Sequence, residues 1–106
     1  MSTLRKNIRK VLELSRKEKK CSNRQFIHLT SEVGELAVEL QIKNGDCKPE
    51  KAGEDGILGE CVDVAQCAIS IFARNGGTIE ELNNLFELKN EKWECQIKKY
   101  KDERNT

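Results

Sequence analysis

The sequence has few of the residues that mark several common protein classes. Its 106 residues include a single proline, and aromatic residues make up only 5% of the chain. None of its five cysteines form a CxxC pair, so the ligand spacing that is typical of zinc sites is missing. An odd number of cysteines without such pairs favours a reducing compartment over a disulfide framework. We therefore expect a cytoplasmic protein without disulfides.

Segments that would indicate a membrane span, a secretion signal or a β-sheet are also missing. No apolar run is expected to approach the roughly 20 residues that cross a bilayer. The N-terminal sequence MSTLRKNIRK lacks the apolar core of a signal peptide. No alternating apolar and polar run is flanked by hairpin turn residues. These absences predict an all-α protein that has no membrane partner.

Helical periodicity is what the sequence does contain. Apolar residues recur every three or four positions in four segments, over about residues 3–19, 22–43, 57–74 and 78–101. The chain length favours one domain over residues 1–106. The pattern therefore predicts a single domain of four helices.

Local signals predict where these helices begin and end. Ser22 with Gln25, and Thr78 with Glu81, each fit the capping box that opens a helix. The NG sequence at 44–45 and the NGG sequence at 75–77 predict helix ends, and a polar loop is expected over residues 44–56. The last six residues, KDERNT, are expected to fray.

The third predicted helix is apolar around most of its circumference. Between Ile57 and Phe72 its apolar residues cover well over half of a helical wheel. Such a helix is expected to be buried on several sides, which a protomer of four helices can scarcely provide. We therefore expect a homodimer or a homotetramer.

Positive charge is concentrated at the start of the chain, although the net charge of the whole is only +1. The first 24 residues contain nine Lys or Arg residues against two glutamates, a local balance of +7 that leaves −6 for the rest. This pattern fits a solvated basic helix. It also fits a surface that attracts the phosphates of a nucleotide or a nucleic acid.

Two pairs of carboxylates lie on the second and third predicted helices. Glu32 and Glu35, in SEVGE, are three residues apart, as are Glu60 and Asp63, in GECVD. Residues at this spacing are neighbours on one helix face. If the two helices pack as an antiparallel hairpin, both pairs can face each other. A single such pair is usually a solvated helix edge, and a buried ion pair would also explain Glu60.

Four clustered carboxylates require compensation. Removing an ionised carboxylate from water costs several kcal/mol, and close like charges add to that. Either the pKa values rise until some groups are neutral, or a cation binds. Ligands that are all oxygen suit a hard cation, Mg²⁺ or Mn²⁺. We therefore predict a metal site formed by Glu32, Glu35, Glu60 and Asp63.

The segments LTSEVGELAVEL and GECVDVAQCAISIF resemble the MazG-like, all-α nucleoside triphosphate pyrophosphohydrolases. The pattern of that family is ExxE, a spacer of one to three dozen residues, and ExxD. Here 24 residues separate Glu35 from Glu60. The resemblance covers about residues 22–100 and implies a four-helix, MazG-like bundle that is completed by subunit association.

The resemblance implies Mg²⁺-dependent hydrolysis of a nucleoside or deoxynucleoside triphosphate to the monophosphate and pyrophosphate, with Mn²⁺ as a possible substitute. Water would attack the α-phosphorus, oriented or deprotonated by Glu32 or Glu35 as the catalytic carboxylate. All four acids would be metal ligands. The family also implies phosphate-binding side chains on the last helix, where Lys89, Asn90 and Lys92 in ELKNEKWE are the candidates. The sequence departs from the family in lacking an evident aromatic-rich pocket for the base.

Two further polar residues accompany the first acidic pair. His28 lies four residues before Glu32, where it could bind a base, steady Glu32, or remain a partly exposed polar residue. Glu39, one turn after Glu35, could be an outer ligand or a solvated charge.

Other functions remain open. Phosphoribosyl-ATP pyrophosphohydrolases usually have a Leu-Leu-Tyr-His type run after the second motif, where this chain has DVAQCAI. A non-catalytic regulator could use the basic N-terminal helix to contact a partner or nucleic acid, although nucleic acid is not the expected partner. A structural helix bundle could use its acids in ion pairs.

Overall fold

A computed structural model describes residues 2–46, 48–49, 52–53 and 56–104. Within these residues the chain forms four α-helices and no strands: α1 Leu4–Lys17, α2 Ser22–Lys43, α3 Gly56–Arg74 and α4 Ile79–Arg104. The all-α prediction is confirmed at this level. The chain divides into two compact units, Met1–Gly76 with α1 to α3 and Gly77–Thr106 with α4.

The start of α2 differs from the predicted capping box. Ser22 is the first helical residue, and Cys21 takes the N-cap position without a side-chain hydrogen bond. The Gln25 N–H donates to the Cys21 carbonyl oxygen at 3.1 Å, which is the first hydrogen bond of the helix. With Ser22 as the cap, the helix would have begun at residue 23. The prediction of a Ser22–Gln25 box was wrong, because Ser22 is already inside the helix and its position as N-cap is taken by Cys21.

The end of α2 is a Schellman motif, in agreement with the predicted stop. Gly45 has φ of +81°, a left-handed conformation in which a β-carbon is unfavourable. The Gly45 N–H donates to Ile42, and the Asp46 N–H donates to Gln41 at 2.8 Å. These two bonds satisfy carbonyls that the helix end would otherwise leave unpaired. Residues 47, 50–51 and 54–55 of the predicted loop lie outside the described residues.

At the remaining helix ends, the start of α4 agrees with the sequence, whereas the ends of α1 and α4 differ from their predicted positions. Thr78 is confirmed as the cap of α4, because the Glu81 N–H donates to the Thr78 hydroxyl oxygen at 3.2 Å. The second bond differs from a capping box, because the Glu81 carboxylate accepts from the Thr78 hydroxyl, at 3.2 Å. Helix α1 ends at Lys17, two residues earlier than predicted. Helix α4 continues to Arg104 through most of the segment that was expected to fray, and Arg104 stacks over the Tyr100 ring at 5.4 Å. The final two residues lie outside the described part.

Helix α3 is the central element of the first unit, because it packs against both α1 and α2. In the residue contacts between α2 and α3, later residues of α2 lie beside earlier residues of α3. His28 lies near Cys67, whereas Glu32, one turn later, lies near Asp63 and Glu60. The two helices are therefore antiparallel, as the carboxylate pairs required.

The core of the described residues is small. Its buried apolar side chains are Leu12, Cys67 and Ala73. Helix α3 keeps Leu58 and Val62 exposed, at 83% and 57% of their surface. The first unit therefore does not surround α3 on the several sides that its composition led us to expect.

By length and composition, α3 also meets the criterion for a membrane span. Its 19 residues contain a stretch with mean hydropathy of 1.5, which corrects the expectation that no apolar segment approaches that length. One such helix is weak evidence, since core helices of soluble proteins meet the same criterion. Glu60 and Asp63 interrupt this apolar helix and lie near Glu32 of α2.

Candidate metal centre

Glu32, Glu60 and Asp63 form an acidic cluster between α2 and α3. One carboxylate oxygen from each residue lies within 4.8 Å of those of the other two. Glu60 and Asp63 share a face of α3 because they are three residues apart. The antiparallel packing of α2 then brings Glu32 opposite them. The structure thus joins three of the four acids of the predicted site.

The cluster lies partly out of water. Glu60 is only 5% exposed, and the Glu32 side chain is 15% exposed. Three carboxylates at this separation repel one another, and burial reduces the screening of that repulsion by water. A bound cation or a proton shared within the cluster would relieve it. Oxygen donors alone suit Mg²⁺ or Mn²⁺ better than a softer metal.

The two oxygens of Glu32 have different surroundings. Glu32 Oε1 lies 3.1 Å from His28 Nε2. Glu32 Oε2 is buried and has no hydrogen-bond partner among the described residues. A buried carboxylate oxygen without a partner is unfavourable unless something neutralises it. This oxygen therefore fits a cation ligand, and the donor set as a whole fits a hard divalent ion.

Glu35 lies outside the acidic cluster. Its residue is exposed on α2, and its carboxylate is not among the three that converge. A residue three positions after Glu32 is rotated by about 60° around the helix, which carries it toward solvent. Its assignment as a ligand or as the catalytic carboxylate stays a prediction.

Glu39 is buried at the loop side of the cluster. It is 8% exposed, and its Oε1 accepts a hydrogen bond of 2.6 Å from the Gly53 N–H. A β-carbon built on Gly53 would lie 3.4 Å from that oxygen and 3.8 Å from Glu60 Oε1. Glu39 is therefore not a solvated charge. The backbone of Gly53 lies close to the carboxylates of both Glu39 and Glu60. Sequence spacing gave no signal for this contact, which depends on the path of the loop.

A cavity of about 510 Å³ adjoins the cluster within the first unit. Its lining includes Glu32 and Asp63 together with Gln25, Gln66 and Lys20. This volume lies within the range of small-molecule sites, roughly 300–1,000 Å³. Among the described residues no Trp, Tyr or Phe lines the cavity, so a ligand there would not stack on such a ring.

Cys67 lies at the wall of this cavity and was not predicted as part of a site. Its Sγ is 3.7 Å from His28 Nδ1. Burial raises the pKa of the Cys67 thiol, and the negative charge of Glu32 adds to this effect. The nearby Lys20 ammonium lowers the same pKa. The thiol therefore stays protonated and behaves as a small apolar group beside the acids.

Lys89, Asn90 and Lys92 are exposed on α4, in the second unit. Helix α4 has no buried residue among those described, and its exposed side chains include Trp93. A role of these three polar residues in binding phosphates stays a prediction.

No protein-family model matches the chain, and comparisons with curated proteins and with solved structures likewise give no match. The resemblance to the MazG-like enzymes therefore rests on the ExxE and ExxD motifs of the sequence itself.

Proposed function

We propose that this chain is a Mg²⁺-dependent nucleoside triphosphate pyrophosphohydrolase that acts on NTPs or dNTPs. The observation that carries the proposal is the convergence of Glu32, Glu60 and Asp63 within 4.8 Å, from two helices that each bear one of the paired motifs. Either motif alone is common on helix surfaces. Carboxylates from both motifs that converge at a partly buried point do not fit the alternative of acids that merely face solvent.

Glu32, Glu60 and Asp63 would hold the ion. When bound, Mg²⁺ would neutralise phosphate charge and lower the pKa of a bound water. Glu32, or Glu35 at the next turn of α2, would orient the attacking water and accept its proton on a carboxylate oxygen. The cavity beside the cluster has room for the nucleoside part of the substrate. Lys89, Asn90 and Lys92 are proposed to bind the phosphates.

The proposed protein is cytoplasmic and works as a homodimer or homotetramer. Support for association comes from the exposed apolar residues of α3, Leu58 and Val62. Such side chains favour an interface because covering each contributes roughly 1.5–3 kcal/mol.

The experiment that tests the activity is incubation with a panel of NTPs, dNTPs and phosphoribosyl-ATP in Mg²⁺, with separate detection of pyrophosphate and orthophosphate. We expect pyrophosphate and the monophosphate as products. Glu60→Gln should reduce turnover at least about a hundredfold, because it removes a ligand charge, while circular dichroism shows unchanged helix content. The matched control is Glu13→Gln, an exposed glutamate of α1 that should leave turnover unchanged.

Orthophosphate as the only product would exclude attack at the α-phosphorus. Equal turnover in Glu60→Gln and Glu13→Gln would separate the activity from the acidic cluster. Turnover of phosphoribosyl-ATP alone would move the protein to that related activity.

A second candidate is a non-catalytic protein that contacts nucleic acid through α1. All six basic side chains of this helix are exposed, and only Lys10 among them makes an ion pair within the described residues, at 3.8 Å to Glu13. Such binding should weaken steeply as salt increases, because each neutralised phosphate releases counterions. Absence of RNA and DNA binding at low salt would remove this candidate.

A further inference from the structure

His28 lies between Lys20 and Glu32 and contacts both. Lys20 Nζ is 2.9 Å from His28 Nδ1, and His28 Nε2 is 3.1 Å from Glu32 Oε1. A lysine ammonium can only donate hydrogen bonds, so Nδ1 must accept. The ring N–H then lies on Nε2 and donates to the carboxylate. The two neighbours together select one tautomer of the histidine.

Lys20 is held in turn by the segment between α1 and α2. Its Nζ is 3.2 Å from Glu18 Oε1, and Glu18 is the C-cap residue that follows α1. Lys20 is therefore placed by the end of one helix and points at a residue in the next. A continuous set of contacts runs from Glu18 through Lys20 and His28 to Glu32.

We propose that His28 is a positioning residue for Glu32 and that Lys20 fixes its tautomer. This inference rests on the proposed function. The His28 N–H holds Glu32 Oε1, which leaves Oε2, buried and without a hydrogen-bond partner among the described residues, as the oxygen for the cation. His28 itself lies outside the group of carboxylates that would bind the ion.

The physical need for such a residue follows from repulsion within the acidic cluster. Before a cation binds, Glu60 and Asp63 favour any rotamer that moves the Glu32 carboxylate away from them. A hydrogen bond from a neutral ring opposes that rotation without cancelling the negative charge that attracts the ion. Hydrogen-bond partners of metal ligands typically contribute about 10–100-fold to metal affinity.

The test is Mn²⁺ binding to the full chain, followed by the loss of the free-ion signal in electron paramagnetic resonance. The informative variants are His28→Gln and His28→Asn, which both carry an amide. The glutamine nitrogen reaches about as far as Nε2, whereas the asparagine nitrogen reaches only about as far as Nδ1. We expect His28→Asn to weaken Mn²⁺ binding by about tenfold or more, and His28→Gln to stay close to the wild type.

Unchanged Mn²⁺ affinity in His28→Asn would overturn the positioning role, as would an equal loss in both variants. Binding of Mn²⁺ with the expected variant pattern, but without hydrolysis of any nucleotide, would support the role of His28 and contradict the proposed activity. Absence of Mn²⁺ binding by the wild type would contradict both.

The tautomer gives a second measurement that needs no metal. His28 is the only histidine in the sequence, so its two ring nitrogens can be observed without assignment by nitrogen NMR in alkaline buffer. The wild type is expected to show the Nε2–H tautomer. Lys20→Met should lower the proportion of the Nε2–H tautomer, although Glu32 still accepts from Nε2 and the Cys67 thiol still lies 3.7 Å from Nδ1. Lys19→Met, at an exposed neighbour, should leave that proportion unchanged. A dominant Nδ1–H tautomer in the wild type would overturn the proposal.

Discussion

Glu39 is the residue at which the loop before α3 attaches to α2. Its buried carboxylate accepts the Gly53 N–H at 2.6 Å, close to Glu60. A buried acceptor bonded to a main-chain donor stabilises the fold only while both partners are present, because the one left behind is unsatisfied. Glu39 therefore adds a fourth carboxylate to the surroundings of the acidic cluster while fulfilling a structural role.

We expect Glu39→Ala to lower the free energy of unfolding by about 1–3 kcal/mol, because the Gly53 N–H loses its partner. Glu39→Gln should lower it less, since the amide oxygen can still accept this hydrogen bond. Urea unfolding followed by circular dichroism measures both values. Equal destabilisation by the two substitutions would show that charge, rather than the hydrogen bond, sets the contribution of Glu39.

Asp63→Asn separates repulsion from cation binding. Without divalent ions, this substitution should raise the free energy of unfolding by an amount on the order of 1 kcal/mol, because it removes one of three close negative charges. With Mg²⁺ at a hundred times its dissociation constant, the wild type should gain about 2.7 kcal/mol, and Asp63→Asn should gain less.

Thermal unfolding with and without Mg²⁺ checks these two signs for Asp63→Asn, with Glu13→Gln as the control for a lost surface charge. If wild type and Asp63→Asn gain the same stability from Mg²⁺, the ion does not bind at the acidic cluster.

At the scale of the helices, the glycine inside α2 and the glycine just after it have opposite roles. Gly45 has φ of +81° and terminates the helix, whereas Gly34 lies inside it. A β-carbon added to either would meet nothing within 4 Å. Any effect of alanine at these positions therefore comes from the backbone and not from steric contact.

We expect Gly45→Ala to destabilise the protein by about 1 kcal/mol, because alanine disfavours the left-handed conformation. Gly34→Ala should stabilise it by roughly 0.5–1 kcal/mol, because glycine weakens a helix interior. Urea unfolding measures both changes. Destabilisation by Gly34→Ala would indicate that another chain or a ligand approaches α2 closely at this point.

Helix content was predictable from the sequence because apolar periodicity is a local property. The end of α2 and the Thr78–Glu81 cap were also correct, since both depend on residues a few positions apart. The Ser22 cap was wrong because α2 begins one residue earlier, at Ser22 itself, with Cys21 as its N-cap. Helix α4 extends past its predicted end, and in its last turn Arg104 lies over the Tyr100 ring at 5.4 Å.

The candidate site was predictable only in part, for the same reason. The i, i+3 spacing and an antiparallel hairpin are enough to place Glu32 beside Glu60 and Asp63. The rotation that separates Glu35 from them depends on how α2 packs. The burial of Glu39 depends on the loop, and the position of Lys20 depends on where α1 ends. None of these has a signature in spacing.

At the scale of the whole molecule, α3 has more apolar surface than the first unit covers. Leu58 and Val62 are four residues apart and share an exposed face. Exposed apolar surface of this kind favours association between copies of the chain.

We expect the double variant Leu58→Glu and Val62→Glu to shift the protein from a dimer or tetramer toward the monomer in analytical ultracentrifugation, since two charges would have to be desolvated at the interface. The control is Leu4→Glu, which replaces a similarly exposed leucine at the start of α1. A wild type that is already monomeric at high concentration would contradict the proposed assembly.

The bond between Gly53 and Glu39 has a consequence for tolerance to sequence change. Its donor belongs to the main chain, so the composition of the connection between Gly45 and Gly53 can vary while the bond persists. Its length cannot vary as freely, because one added or deleted residue would displace the donor from the carboxylate. Relatives of this protein should therefore vary in the residue types of this connection far more than in its length.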